Sequence, residues 1–221
     1  MDKGMDYLNK GKFQEAAREL EQNIQQEPDN PVHYINFGNL LSTVHEHDKA
    51  IVFFQKALEL NPDAAAAFYG AGVSCYKAEK YSEAAYLFQQ ALSRSPEDAD
   101  TLFMAGMSYM HSDNALRALP FLLRASELNS SDSEALFQYG LCLANLQHVG
   151  EAESVFTSVT EIDRNHSDAF YNLGVCQAYF DKHEDALLSF EQALSIRPDH
   201  YLAGNGKKNM QEKLRQQEGK A

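Results

Sequence analysis

The sequence predicts an all-α chain, an α-α superhelix laid out as a solenoid of about six helical hairpins with a C-terminal capping helix. Three observations predict it. Glycine recurs at Gly4, Gly38, Gly72, Gly106, Gly140 and Gly174, a step of 34 residues throughout. Alanine recurs with the same step at Ala16, Ala50, Ala84, Ala118, Ala152 and Ala186. Turn-forming segments separate the units (EPDN, NPDA, SPED, NSSD and DRNH), and a further one, RPDH, follows the last. Self-similarity at a fixed period of this length marks stacked repeats, each one supersecondary unit that buries its apolar face on its neighbours.

The repeats are expected at 1–30, 31–64, 65–98, 99–132, 133–166 and 167–200, the first with a truncated opening helix. Each supplies two helices, for example 65–78 and 82–93, with apolar residues at three- and four-residue spacing. A large apolar column runs through the second helices as Leu20, Phe54, Phe88, Leu122, Phe156 and Phe190. A small column follows as Ala57, Ala91, Ala125, Val159 and Ala193, with Asn23 as the exception at the N-terminal end. In the first helices the corresponding column is Tyr34, Phe68, Leu102, Leu136 and Phe170. The glycines and alanines fall where paired helices cross closely, and a larger side chain there would force the axes apart. Proline and Asp or Asn in the turns stop one helix and start the next. Pro120 instead falls about one turn inside a second helix, where it weakens one hydrogen bond and bends the helix slightly. Residues 201–221 form the expected capping helix and basic tail. Lys208 and Lys220 stand in the next glycine and alanine columns, and Leu202, Met210 and Leu214 offer an apolar edge to cover the last repeat. Gly204-Asn205-Gly206 should weaken that helix near its start.

The glycine, alanine, large-apolar, small and turn-proline columns at this period resemble the tetratricopeptide repeat (TPR). More narrowly, the chain is similar to the small YrrB-type TPR proteins of Gram-positive bacilli. The resemblance covers residues 1 to about 200. Ser130 and Arg164 replace the turn proline, so those two turns are expected to be looser, and the leading aromatic of the family is here Tyr, Phe or Leu. The resemblance implies first helices that line a concave face where proteins are bound.

Composition limits the alternatives. Of 221 residues, 44% are hydrophobic, enough for a packed core and too many for a disordered chain. No run of about 18 apolar residues is present, and MDKGMDYLNK at the start has no signal-like stretch, so a cytoplasmic protein with no membrane contact is expected. Cys75, Cys142 and Cys176 lie in helical apolar patterns and read as small buried side chains. Net charge is −13, and residues 207–220 carry +3 of it, leaving −16 for the body. Such a body repels phosphate backbones, so no nucleic acid is expected and a basic partner is tolerated. HEHD, His45 to Asp48, lies in a turn without the spacing of a metal site, and no nucleophile elbow or phosphate loop occurs. No catalytic residue, no metal and no cofactor is assigned.

The functional signal lies in the first helices. In AFYNLGVCQAYF, residues 169–180, apolar character spans about 260° of the helical wheel at 100° per residue, against the ~100° stripe a one-sided helix needs. The excess recurs as a second column, Ile35, Tyr69, Phe103, Phe137 and Tyr171, each following a member of the Tyr34 column. Asn39, Val73, Met107, Leu141 and Val175 come four residues later, and Tyr76 and Met110 three after that. In each doublet the first residue is expected to pack the hairpin beside its glycine and the second to line a shared apolar trough. Aromatic residues and Met are favoured on adaptable binding surfaces. Asp100, Glu134 and Asp168 stand three residues before Phe103, Phe137 and Tyr171 and supply an acidic edge. The expected ligand is an apolar, basic-flanked peptide or helix of a partner protein, held by a monomer acting as a scaffold or adaptor. The alternative is a self-associating structural protein that buries the trough in a homo-oligomer. Packing of the second column between repeats, and ordinary dipole-favoured acids at helix starts, are competing explanations of the same residues.

Overall fold

A computed structural model describes residues 2–218. The expected Lys220 of the basic tail lies outside them. Thirteen helices and no strand occur among the described residues, and none of the helices is long and apolar enough to cross a membrane. The chain divides into two compact units between Phe121 and Leu122.

The first unit contains α1 (Lys3–Asn9), α2 (Phe13–Gln26), α3 (Pro31–Thr43), α4 (His47–Leu60), α5 (Ala65–Lys77), α6 (Tyr81–Leu92), α7 (Ala99–His111) and the start of α8 (Ala115–Leu128). From α1 to α7 each helix packs on the next, and α1, α3, α5 and α7 also touch in turn. The second helices α2, α4 and α6 make no comparable mutual contact among the described residues. The row of first helices is therefore the tighter one, which makes it the inner row of this unit. The second unit contains the rest of α8, then α9 (Ser133–Asn145), α10 (Val149–Ile162), α11 (Ser167–Tyr179), α12 (His183–Ile196) and α13 (Tyr201–Glu218). Here α13 packs on both α12 and α11.

The columns read from the sequence form the core. Ala16, Ala50, Ala84, Ala118, Ala152 and Ala186 are fully buried, as are Leu20, Phe54, Phe88, Leu122 and Phe156. The glycine column faces the large column directly. A Cβ on Gly38, Gly72, Gly140 or Gly174 would lie 2.7–2.8 Å from the ring of Phe54, Phe88, Phe156 or Phe190 respectively. One glycine and one ring thus form a matched pair that sets the distance between the two helices. Asn23 departs from its small apolar column because the truncated first repeat is closed by polar groups. Its side-chain amide donates to Asp2, which also accepts from Asn36 and caps α1 at the Gly4 N–H.

Helix ends follow the period as well. Asn30, Asp98 and Asp132 cap α3, α7 and α9 through their side-chain oxygens. His166 and His200 occupy the same column in the second unit, and each Nδ1 accepts a backbone N–H, from Ala169 and Ala203. Every first helix ends in a left-handed residue: Gly11, His45, Glu79, Asp113, Gln147 and Asp181 all have positive φ. This is the usual stop for an α-helix, although only one of the six is glycine. The two turns lacking proline are held by their own side chains. Ser131 donates to Asn129 and the Asn165 N–H donates to Asp163, so the loosening expected at Ser130 and Arg164 is offset locally.

Pro120 lies inside α8, which continues to Leu128. The capping helix departs from expectation in two ways. It runs unbroken through Gly204 and Gly206, and Gly206 has a packing role, since a Cβ there would meet the Phe190 ring at 2.7 Å. Ala203 and Met210 are buried against the last repeat, whereas Leu202 is exposed. Met210 thus covers the last repeat as expected and Leu214 is half-buried, while Ala203 takes the place expected for Leu202.

Cys75, Cys142 and Cys176 are buried, and burial pushes each thiol up to about 11. Since the thiolate is the reactive form, none of the three should react with an alkylating reagent at neutral pH until the protein unfolds. Mass spectrometry after a brief iodoacetamide pulse checks this, and modification of the native protein at rates near those of a free thiol would contradict it.

Candidate functional site

In the first unit, Ile35, Asn39, Tyr69, Val73, Tyr76, Phe103, Met107 and Met110 are all half-buried on the inner helices α3, α5 and α7. Their spacing of three and four residues keeps them on one helical face. Asn39, Tyr69 and Val73 come together in a cleft of about 430 Å³ between α3 and α5, whose rim carries His45, His47 and Lys77. On its other side Tyr69 borders a second cleft of about 300 Å³, reached by Asp98, Asp100 and Thr101 from the start of α7. Burial, then the charges of Asp100 and Asp98, raise the Tyr69 phenol above its ordinary value, so it remains a neutral donor. Tyr76 joins Tyr81 and His111 in a three-ring cluster, with centroids 4.8–5.5 Å apart.

The doublets pack differently from expectation. The second residue, like the glycine, rests on the Phe of its own hairpin: Tyr69 on Phe88 at 5.8 Å, Phe137 on Phe156 at 5.8 Å, Tyr171 on Phe190 at 6.0 Å. The first residue of two doublets faces the interrepeat turn instead. The Tyr34 hydroxyl donates to the Pro28 carbonyl, and the Arg94 guanidinium lies 4.4 Å over the Phe68 ring.

The second unit shows how far this goes. Phe137 is only 8% exposed, since the His166 cap covers it from the next repeat at 4.4 Å. This corrects the expectation of a solvent-facing ring. Tyr171 is half-buried under His200 at 5.0 Å. Leu141 is half-buried, and Val175 remains 43% exposed. Glu134 is exposed and accepts a hydrogen bond from Gln138. Asp168 is no free acid: Arg197 binds both its oxygens, at 2.5 and 3.3 Å, and the His200 Nε2 stands 3.2 Å from one of them. Burial alone would raise the Asp168 carboxyl, but the Arg197 hydrogen bond and charge, aided by His200 and His166, hold it below its ordinary value.

Several surface residues escaped the sequence reading. Tyr179 and Phe180 are 64% and 44% exposed and stand edge to face at 5.2 Å. Tyr179 lies four residues after Val175, so the helical spacing could have found it. Its column, Thr43, Lys77, His111, Asn145 and Tyr179, shares no chemistry, and for that reason Lys77 was invisible too. Among the described residues no group of three His, Cys, Asp or Glu side chains converges as a metal site.

Family models for the tetratricopeptide repeat match residues 35–99 and 167–200, and one for anaphase-promoting complex, cyclosome, subunit 3 matches 81–159. Among solved structures, the chain is similar to YrrB, described as a TPR protein with an unusual peptide-binding site. That match has 45% identity and a TM-score of 0.81, and covers 86% of this chain and 97% of the other. MamA shares the fold at 18% identity and TM-score 0.73, over 77% of this chain and 93% of its own. MamA 41-end from Desulfovibrio magneticus RS-1 does so at 22% and 0.68, over 74% and 92%. Among curated proteins none matches.

Proposed function

The chain belongs to the tetratricopeptide repeat family, and we propose that it is a non-catalytic scaffold or adaptor whose inner helix face binds an apolar, basic-flanked segment of a partner protein. One observation carries this reading. Across α3, α5 and α7, hydrophobic side chains remain half-open to solvent after the core columns have closed the hairpins, and clefts lie between them. A row of apolar groups left facing solvent usually marks an interaction surface. The peptide-binding site ascribed to YrrB, 45% identical to this chain, supports the same reading. Asp100 in the first unit, and exposed Glu134 in the second, are the acids that would meet basic flanks. Asp168 is engaged by Arg197 and is left out of that role.

Val73→Ser/Met107→Ser tests the reading, because both side chains are half-exposed and their truncation leaves the Gly–Phe pairs intact. Peptide-array binding should fall about five- to thirtyfold, the result of removing two interface contacts of ~0.5–1 kcal/mol each. Unchanged binding with an unchanged melting temperature would overturn the inner-face assignment. The exposed Val175, Tyr179 and Phe180 favour a second reading, burial of this patch in a homo-oligomer. Light scattering decides between them: a monomer that binds peptide supports the adaptor, whereas an oligomer dispersed by Tyr179→Ser supports self-association.

A further inference from the structure

Tyr69 forms the common wall of two clefts of opposite charge. On the α3 side it faces Asn39, His45, His47 and Lys77, and among the described residues no carboxylate lines that cleft. The Nδ1 of His47, one of its lining residues, is shielded from solvent and has no hydrogen-bond partner among the described residues. On the α7 side it faces Asp98 and Asp100, and among the described residues no cation lines that cleft. Asp98 is occupied, accepting from the Thr101 N–H and hydroxyl as the cap of α7. Asp100 is exposed, with its charge directed at the same space.

We infer that these clefts select a ligand by its charge pattern: an extended segment with an apolar residue beside Tyr69, a carboxylate side chain on the α3 side and an ammonium or guanidinium on the α7 side. The inference rests on the inner-face reading and narrows its ligand for this part of the face, with a base on the α7 flank and an acid in place of a base on the α3 flank. The spacing follows from helix geometry. Packed helix axes are roughly 10 Å apart. Along α5 the linings shift from the Ala65–Tyr69 turn to the Tyr69–Lys77 turn, roughly 9 Å at 1.5 Å per residue. The diagonal is then ~13 Å, about four residues of extended chain at ~3.3 Å each. Residues four apart on an extended chain share a face with the residue midway between them. The preferred pattern is therefore acid, any, apolar, any, base, with the apolar side chain against Tyr69.

Four fluorescent peptides with a common leucine core test this, with Glu/Lys, Glu/Glu, Lys/Lys or Gln/Gln placed two residues to either side. In low salt the wild-type protein should bind Glu/Lys about fivefold more tightly than either like-charged peptide, and the gap should shrink as salt rises. Lys77→Glu should make Lys/Lys the best ligand, and Asp100→Lys should make Glu/Glu the best. Both residues are exposed, so neither variant disturbs the core. If Gln/Gln binds but all four peptides fall within twofold, or if Lys77→Glu leaves the ranking unchanged, charge selection is wrong while the inner-face reading stands. If Lys/Lys is the best ligand of the wild type, only the acidic cleft acts, and the paired arrangement is wrong. If none of the four binds, both readings fall together.

Discussion

Phe137→Ser should lower the stability of the folded protein by about 3–5 kcal/mol, the cost of emptying a buried aromatic site and placing a hydroxyl there. Phe137 belongs to the repeating column that otherwise faces solvent, and its exposure of 8% sets it apart. Its ring is held between Phe156 of its own hairpin and the His166 cap of the next helix. Phe137→Leu keeps most of the volume and should cost less than about 1.5 kcal/mol. Urea denaturation measures both, read from the midpoint at constant slope. If Phe137→Ser loses under 1 kcal/mol and abolishes peptide binding, the residue is a contact residue after all. The Met107 position gives the contrast, since a half-exposed side chain loses little on truncation and its loss should appear in binding.

Two glycine substitutions of the same kind should move stability in opposite directions. Gly70→Ala should destabilise by about 1–3 kcal/mol, because the new methyl would lie 2.4 Å from a Phe54 ring that is fully buried. The ring has nowhere to go, since a Cβ position on Gly38 already meets the same edge of the ring, Cε1, Cζ and Cδ1, at 2.8–3.0 Å. Steric cost therefore exceeds the ~1 kcal/mol gain in helix propensity that alanine brings. Gly204→Ala should stabilise by roughly 0.5–1 kcal/mol, because no atom of the described residues lies within 4 Å of a Cβ there and the residue is inside α13. Parallel thermal melts give the answer. Equal shifts of the same sign would show that propensity, and not the fit of ring against backbone, decides these positions.

The cleft between α3 and α5 shows where sequence reading stopped short. Asn39, Tyr69 and Val73 were legible because they recur with the helical period. His45, His47 and Lys77 were not, because a rim is assembled from helix ends and turns whose residues differ in every repeat. The same holds for Asp168. Its position beside Tyr171 was readable, whereas its partner Arg197 lies 29 residues on, in a turn whose side chain could have pointed elsewhere.

The sequence by itself determined the repeat, the helix pairs and the core. Close packing leaves no latitude where a glycine meets a large side chain, so Gly38 with Phe54, Gly140 with Phe156 or Gly4 with Leu20 had to be written at one spacing. Tertiary structure alone decided which member of each aromatic doublet is covered, which acids are neutralised and where open clefts remain. Those outcomes depend on what the next repeat lays over a side chain: His166 over Phe137, His200 over Tyr171, Arg197 on Asp168. A helical period records which face a residue occupies, and the depth of solvent left above that face is set by its neighbours in space.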